Sequence, residues 1–400
     1  MIDSKKETFF IIFSLWLLVF AASSQIMIIA PILPRISEQL AVSEALLGTL
    51  VTAYAVMVGL CALITGPISD KIGRRKILLI GTGMMAAALL LHGLITNYLS
   101  FLIVRGLAGA AGGILSGSSV SYVGDYFPYH RRGWANGWIM SGIAMGQILG
   151  IPIGTVLAEY MGFRAPFLAF AGLMIVTFLL IWLTVPQPDV KLQRARITAL
   201  GAIRKYLLML QKPAILAAAG SYFLMFLSIS VYVIFLPTWL ETTFAVSGNE
   251  IATLFFAGGI ANVMTGPQAG KLSDKWGRKS IIIFSCLGLA LVMIFTTFLV
   301  QSFWLAYPLF FVTMMLVAMR ISPFQALTTE LVSAGKRGTL MSLLVAIGQV
   351  GYGLGGSIAG PAYVWKGYFS NTLIGAVMIF GMAFLVWRYL PEPELEETGS

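Results

Sequence analysis

The 400-residue chain is 58% hydrophobic and only 10% charged, with a mean hydropathy of +0.89, whereas a soluble domain carries about 25% charged residues. That balance excludes an ordinary soluble enzyme or binding module. The net charge of +10 does not call for nucleic acid either, because the placement of the basic residues accounts for it.

Charge clusters and Gly/Pro turns divide the chain into twelve apolar stretches, each long enough to cross about 30 Å of hydrocarbon as a helix. Spans 1 to 6 fall at 8–33, 45–68, 77–97, 99–123, 134–158 and 164–185. Spans 7 to 12 fall at 213–238, 248–269, 281–300, 302–327, 338–362 and 366–389. The first is too long for a removable signal peptide and lacks a small-residue cleavage site. With the N-terminus inside, all 26 Lys and Arg lie on the cytoplasmic side except Arg35, Arg164 and Lys366, which face out, and Arg105 and Arg320, which lie within spans. This is the positive-inside bias, and it predicts both termini in the cytoplasm. Cys61 and Cys286 both fall inside spans, as small apolar residues rather than a disulfide.

Taken in chain order, span 1 carries Gln25 nine residues before Pro34, and span 2 carries Tyr54. Span 2 runs into "GPISDKIGRRK" at 66–76, which holds Gly66, Asp70, Gly73 and Arg74. Span 4 contains "RGLAGAAGG" at 105–113, then Ser119, and ends near Asp125. In span 5, "GIAMGQILGIPIG" sets Gly142, Gly146, Gly150 and Gly154 on one face as a small-xxx-small ladder, with Gln147 and a kinking Pro152. The basic stretch 186–212 is predicted to be an amphipathic helix on the cytoplasmic surface, with Ile197, Leu200, Ile203, Leu207 and Leu210 on one stripe.

Beyond it the chain repeats itself. "GKLSDKWGRKS" at 270–280 supplies Gly270, Asp274, Gly277 and Arg278 at an offset of 204, while Glu330 answers Asp125 at 205. Gly355 and Gly367 answer Gly150 and Gly162 at the same 205. The expected architecture is therefore an all-α integral membrane protein: residues 1–185 form one six-helix bundle, 186–212 the linker, and 213–400 a second bundle related to the first by pseudo-symmetry.

The doubled G-x-x-S-D-K-x-G-R-[RK] resembles the signature of the major facilitator superfamily, and the resemblance covers the whole chain. It implies a latch at the cytoplasmic face that holds the outward-open state, with Asp125 and Glu330 as partners of the two loops. The glycine ladder of span 5 and "GFRAPF" at 162–167 resemble the bacterial drug/proton antiporter branch, although Gly-Ile-Pro stands where that branch has adjacent Gly-Pro. That likeness implies a monomer in the bacterial inner membrane, exporting a small molecule against protons. One departure matters. Where such exporters often place a titrating Asp in helix 1, this chain has Gln25.

None of the 16 acidic residues falls in the middle of a span, so the ionisable groups left deep are Arg105 and Arg320. Buried cations without buried anions point to carbonyls, water or an anionic substrate as the counter-charge, and intramembrane charges are functional by default. The candidate cavity lining is Gln25, Tyr54, Arg105, Ser119, Gln147, Tyr222, Asn262, Arg320 and Gln349. His92 and His130 do not look like deep proton relays. No Walker loop, nucleophile elbow, metal-spaced histidine pair or dinucleotide fingerprint is present, so no enzyme, cofactor or metal chemistry is expected. Three readings stand: a proton-coupled exporter of an anionic or zwitterionic compound (a drug, sugar derivative or metal-chelating metabolite), an uptake symporter on the same fold, and a uniporter or non-transporting receptor.

Overall fold

The computed structural model describes residues 5–189, 199–333 and 337–392, and every regular element among them is helical. In the first half, α1 (Lys5–Met27) and α2 (Ile29–Leu40) form span 1, α3 (Glu44–Ile72) span 2 and α4 (Arg74–Leu91) span 3. Span 4 is α5 (Tyr98–Leu115) with α6 (Ser118–Tyr126), span 5 is α7 (Tyr129–Met145) with α8 (Ile151–Met161), and span 6 is α9 (Arg164–Thr184). The described part of the linker is α10 (Ala199–Leu210). In the second half, α11 (Pro213–Ile234) and α12 (Leu236–Phe244) form span 7, followed by α13 (Gly248–Trp276), α14 (Arg278–Leu299), α15 (Phe303–Thr329), α16 (Arg337–Lys366) and α17 (Tyr368–Tyr389).

Eleven of these crossings are long and apolar enough to span a membrane. The exception is α13, whose Asn249, Glu250, Asn262 and Gln268 dilute its hydropathy; it packs against α15 and α8. The protein is a multi-pass membrane protein. Its periphery is apolar, as lipid contact requires: Phe284, Leu287, Leu291, Phe295 and Phe298 form an exposed stripe on α14, and Leu373, Val377, Phe380, Phe384 and Trp387 form another on α17.

Spans 1, 4 and 7 are not the continuous helices expected from the sequence, and span 5 is interrupted beside its expected kink. Pro31 cannot donate to the carbonyl of Met27, and α1 stops there. Gly117, at φ +71°, breaks span 4. A π-helical turn over Gly146–Gly150 precedes Pro152 in span 5. In span 7 the break falls at Phe235, two residues before Pro237. Of the linker stripe, Ile197 lies outside the described residues, as do the side chains of Leu200 and Ile203; Leu207 is exposed.

The halves meet along α3 and α16, α8 and α13, and α2 and α12. The contact is closest at the end away from the two S-D-K-x-G-R loops. A Cβ added at Gly48 would lie 1.7 Å from the carbonyl oxygen of Gly356, and one at Gly360 would lie 2.6 Å from that of Ala45. The Thr52 hydroxyl donates to the carbonyl of Gly353 and lies 2.7 Å from the Ser357 hydroxyl. The Thr52 contacts, the Asn249–Tyr160 hydrogen bond and the Arg35–Glu241 pair join the halves at this end. Gly48→Val should therefore prevent this end from closing, an overpacking cost of about 1–3 kcal/mol. Labelling of a cysteine introduced near Ala45 should rise in the variant; unchanged labelling would show that the seam can yield.

Candidate functional site

Each S-D-K-x-G-R loop is a tight turn between two helices. Gly73 (φ +101°) and Gly277 (φ +89°) adopt conformations that side chains disfavour. In the first copy the Arg74 Nε donates to Asp125 at 2.6 Å and its guanidinium also reaches the Ser69 hydroxyl at 2.8 Å. In the second, Arg278 pairs with Glu330 and stands 4.0 Å from Asp274. The structure thus brings each loop's arginine to the acid that the family resemblance gave as its loop's partner. Gly66 and Asp70 fall within α3 and Gly270 within α13, but the surroundings of Gly66 and the side chain of Asp70 lie outside the described residues. Asp125→Asn should leave the fold intact and slow transport by several-fold, since it removes the carboxylate that ties the end of α6 to Arg74. Transport at the wild-type rate would reduce the pair to a topology signal.

A second repeat, not among those read from the sequence above, reinforces these turns. The Gln187 side chain accepts from the backbone N–H of Arg75 at 3.1 Å, while the Arg75 guanidinium donates to the carbonyl of Trp182 at 2.6 Å. One repeat later the Glu392 carboxylate accepts from the N–H of Lys279 at 3.0 Å, and the Lys279 ammonium donates to the carbonyl of Leu390 at 3.0 Å. Each bundle's last strand of coil thereby caps the helix that follows its own motif loop. The signal was available: "VPQPD" at 185–189 and "LPEPE" at 390–394 are offset by the same 205.

The glycine ladder packs within the first half. A Cβ at Gly142 would lie 2.8 Å from the carbonyl oxygen of Trp16, one at Gly146 3.1 Å from the Cβ of Ser23, and one at Gly150 2.0 Å from the Ser24 hydroxyl. At Gly154 it would meet Ile28. The ladder lets span 5 lie flush against span 1. Span 5 then turns its other side to α13, where a Cβ at Gly259 would come within 3.2 Å of the Gln147 backbone.

At the centre of the first half, three predicted residues form one buried cluster. The Arg105 guanidinium donates to Gln25 Oε1 at 3.3 Å and sits 4.4 Å above the Tyr54 ring. Gln25 in turn donates from Nε2 to the Tyr54 hydroxyl at 3.0 Å. All three are at most 2% exposed. The Arg105 Nε also points at the Leu50 carbonyl, 3.5 Å away. Every one of these partners is neutral. Across the seam, the phenol of Tyr352 on α16 lies within electrostatic range of Arg105. Tyr352 was not among the expected lining. Behind the cluster, His92 is buried and stacked 4.1 Å from Phe167, with one ring nitrogen on the carbonyl of Ala88.

The other candidates scatter. Gln349 is half-buried at the seam, with its Cβ 3.8 Å from one added at Gly59. Tyr222 is buried in the second half between Phe226 and Phe324, at 5.5 and 5.4 Å. Asn262 is half-buried on α13, and the buried Ser119 hydroxyl has no partner among the described residues. Arg320 is 1% exposed. It lies inside the second bundle beside Cys286, donating from Nη1 to its own helix at the Leu316 carbonyl, 3.2 Å away. Its Nε and Nη2 have no partner among the described residues.

A separate charged cluster closes the end away from the motif loops. Arg35 on α2 lies 2.8 Å from Glu159 of α8, 3.3 Å from Glu38 and 4.0 Å from Glu241 of α12, in the other half. Glu159 also faces the start of α13, since a Cβ at Gly248 would stand 2.6 Å from its carboxylate oxygen. Beside it, Asn249 donates to the Tyr160 hydroxyl at 2.9 Å. A carboxylate of the second half, Glu241, thus faces Arg35, while Glu159 of the first half faces the positive N-terminus of α13. Arg35, placed outside the spans by its charge, is the hub that the sequence did not reveal.

Comparison with known proteins places this geometry. A family model described as Major Facilitator Superfamily matches residues 15–221 and again 218–400. The chain is 25% identical over 397 residues to the "Uncharacterized MFS-type transporter YceJ" of Bacillus subtilis (strain 168), covering 96% of this chain and 97% of the relative. It is 28% identical over 301 residues to the "Multidrug resistance protein MdtG" of Salmonella typhi, covering 72% of each. Its fold superposes on the crystal structure of a D-xylose-proton symporter with a TM-score of 0.81, at 21% identity, covering 98% of this chain and 100% of the other.

Proposed function

We propose a direction, a coupling ion and a substrate charge for a chain that belongs to the major facilitator superfamily, and that is therefore a transporter of small molecules rather than an enzyme. It exports an anionic or zwitterionic organic compound from the bacterial cytoplasm in exchange for protons, as a monomer in the inner membrane, with the motif loops and both termini inside. The observation that carries the substrate class is Arg105, a buried cation at the centre of the first half whose partners are a carbonyl, an amide and two rings. A carboxylate or phosphate there gains charge-assisted hydrogen bonds in a low-dielectric setting. Arg320, with two N–H groups unpartnered, adds positive potential from the second half. Export is supported by the span 5 ladder and by the name of the Salmonella relative.

Protons enter through the Arg35 cluster. One guanidinium facing three carboxylates leaves an excess of negative charge, and taking up a proton loosens the tie between Arg35 and Glu241. The end then opens, releasing substrate outward. Asp125, the remaining candidate, is already paired with Arg74. Everted vesicles holding the protein test the whole reading. Acidifying the lumen should drive accumulation of anionic fluorescent dyes and spare cationic ones. Dye accumulation in right-side-out vesicles under an inward proton gradient would make it an uptake symporter, and equilibration without accumulation a uniporter.

Arg320→Met separates two roles. Unsatisfied buried donors cost about 1–3 kcal/mol, so the variant should be more thermally stable than wild type. If Arg320 contributes to the anion site, the same variant should bind anionic dyes several-fold more weakly; unchanged binding would leave it a brace for α15.

A further inference from the structure

A groove of about 600 Å³ lies beside α11 at the end that carries the motif loops, within the about 300–1,000 Å³ typical of ligand clefts. Ala217, Gly220 and Phe223 of α11 form its floor, Ile347 of α16 and Leu385 of α17 its sides, and Leu210 of α10 its rim. No lining side chain carries a charge. From Pro213 to Phe223 the lining follows α11 for ten residues, about 15 Å at the helical rise. That is the hydrocarbon depth of a single leaflet, half of about 30 Å. The small residues make the concavity: a Cβ at Gly220 would already stand 3.1 Å from Leu385.

Charge gathers at one mouth only. Lys212, exposed, immediately precedes Pro213, and Arg388, also exposed, precedes Tyr389 with its guanidinium 5.5 Å from that ring. Trp387 is exposed beside them, as expected of aromatic residues at the level of lipid head groups. The neighbouring acid, Glu392, is occupied at the start of α14 by the N–H of Lys279. An apolar slot one leaflet deep, with two cations at its open end, has the polarity of a single phospholipid.

We infer that this groove binds an anionic phospholipid, with one acyl chain along α11 and the phosphate held by Lys212 and Arg388. Leu210 makes the lipid a bridge between the linker helix and the second bundle. The assignment does not depend on transport direction or substrate. The test uses the full-length protein purified in a neutral detergent, with thermal unfolding followed after adding phosphatidylglycerol or phosphatidylcholine. Phosphatidylglycerol should raise the midpoint by roughly 2–4 °C more than phosphatidylcholine. The double variant Lys212→Gln/Arg388→Gln should lose that difference, and Gly220→Phe, which fills the slot without touching a charge, should lose it too. Equal shifts with both lipids, a difference that survives in either variant, or the same shift from glycerol phosphate alone would overturn the proposal.

Discussion

Arg105→Ala should abolish binding of anionic compounds while leaving neutral ones little affected. The guanidinium is fully enclosed, and its neighbours are the Gln25 amide, the Leu50 carbonyl and the Tyr54 ring. An anion that pairs with it is held in a desolvated site, where removing one partner of a buried charge pair costs about 2–5 kcal/mol, or at least about 30-fold in affinity. Arg105→Lys keeps the charge but loses the planar fork and the stacking on Tyr54, so it should fall between the two. The measurement is dye binding to purified variants, with thermal unfolding checking that each is folded. Unchanged affinity for anions in Arg105→Ala would reduce the cluster to helix bracing, the role that neutral amides and hydroxyls play at about 0.6 kcal/mol each in membrane bundles.

Glu241→Gln should uncouple transport from protons. Glu241 is the carboxylate that the second half presents to Arg35, 4.0 Å away, and it is only 15% exposed. With an amide there, the tie across the seam no longer depends on protonation. Accumulation driven by a pH gradient should then drop by the full coupling, about 5- to 150-fold. Substrate exchange at equal pH on both sides should persist, because it needs the rocking motion but no net proton movement. Reconstituted vesicles distinguish the two readouts. If Glu241→Gln still accumulates dye with wild-type pH dependence, the proton travels on Glu159, on Asp125 or on the substrate itself.

How much was legible beforehand follows from what each feature depends on. The number of crossings and the two-bundle repeat are written in hydropathy and in a fixed offset, properties of chain order alone. The offset related Asp125 to Glu330 and one loop to the other, but that these acids partner the loops was implied only by the family resemblance. The helix breaks were half legible. Pro31, Gly117 and Pro152 are visible as letters, but whether a proline bends a helix or ends it depends on what its neighbours offer the freed carbonyl.

The Arg35 cluster was hidden for a different reason. Its members lie on α2, α8 and α12, as much as 206 positions apart, and no periodicity links them. Arg320 shows the converse. Its depth in span 10 follows from counting residues, but the direction of its side chain depends on the rotation of α15 about its own axis. That rotation is fixed by packing, where the Ser285 hydroxyl meets the Leu316 carbonyl and Leu316 meets Gly288, and it aims the guanidinium at Cys286 inside the bundle. The sequence by itself determined that this is a twelve-crossing, doubled membrane protein with two deep arginines and its acids at helix ends, because lipid punishes misplaced charge residue by residue. Only the tertiary structure decided that Arg105 is gathered with Gln25 and Tyr54 inside the first half while Arg320 turns back onto its own helix inside the second. Helix rotation and the meeting of two halves are set by side-chain contacts between segments that chain order never brings together.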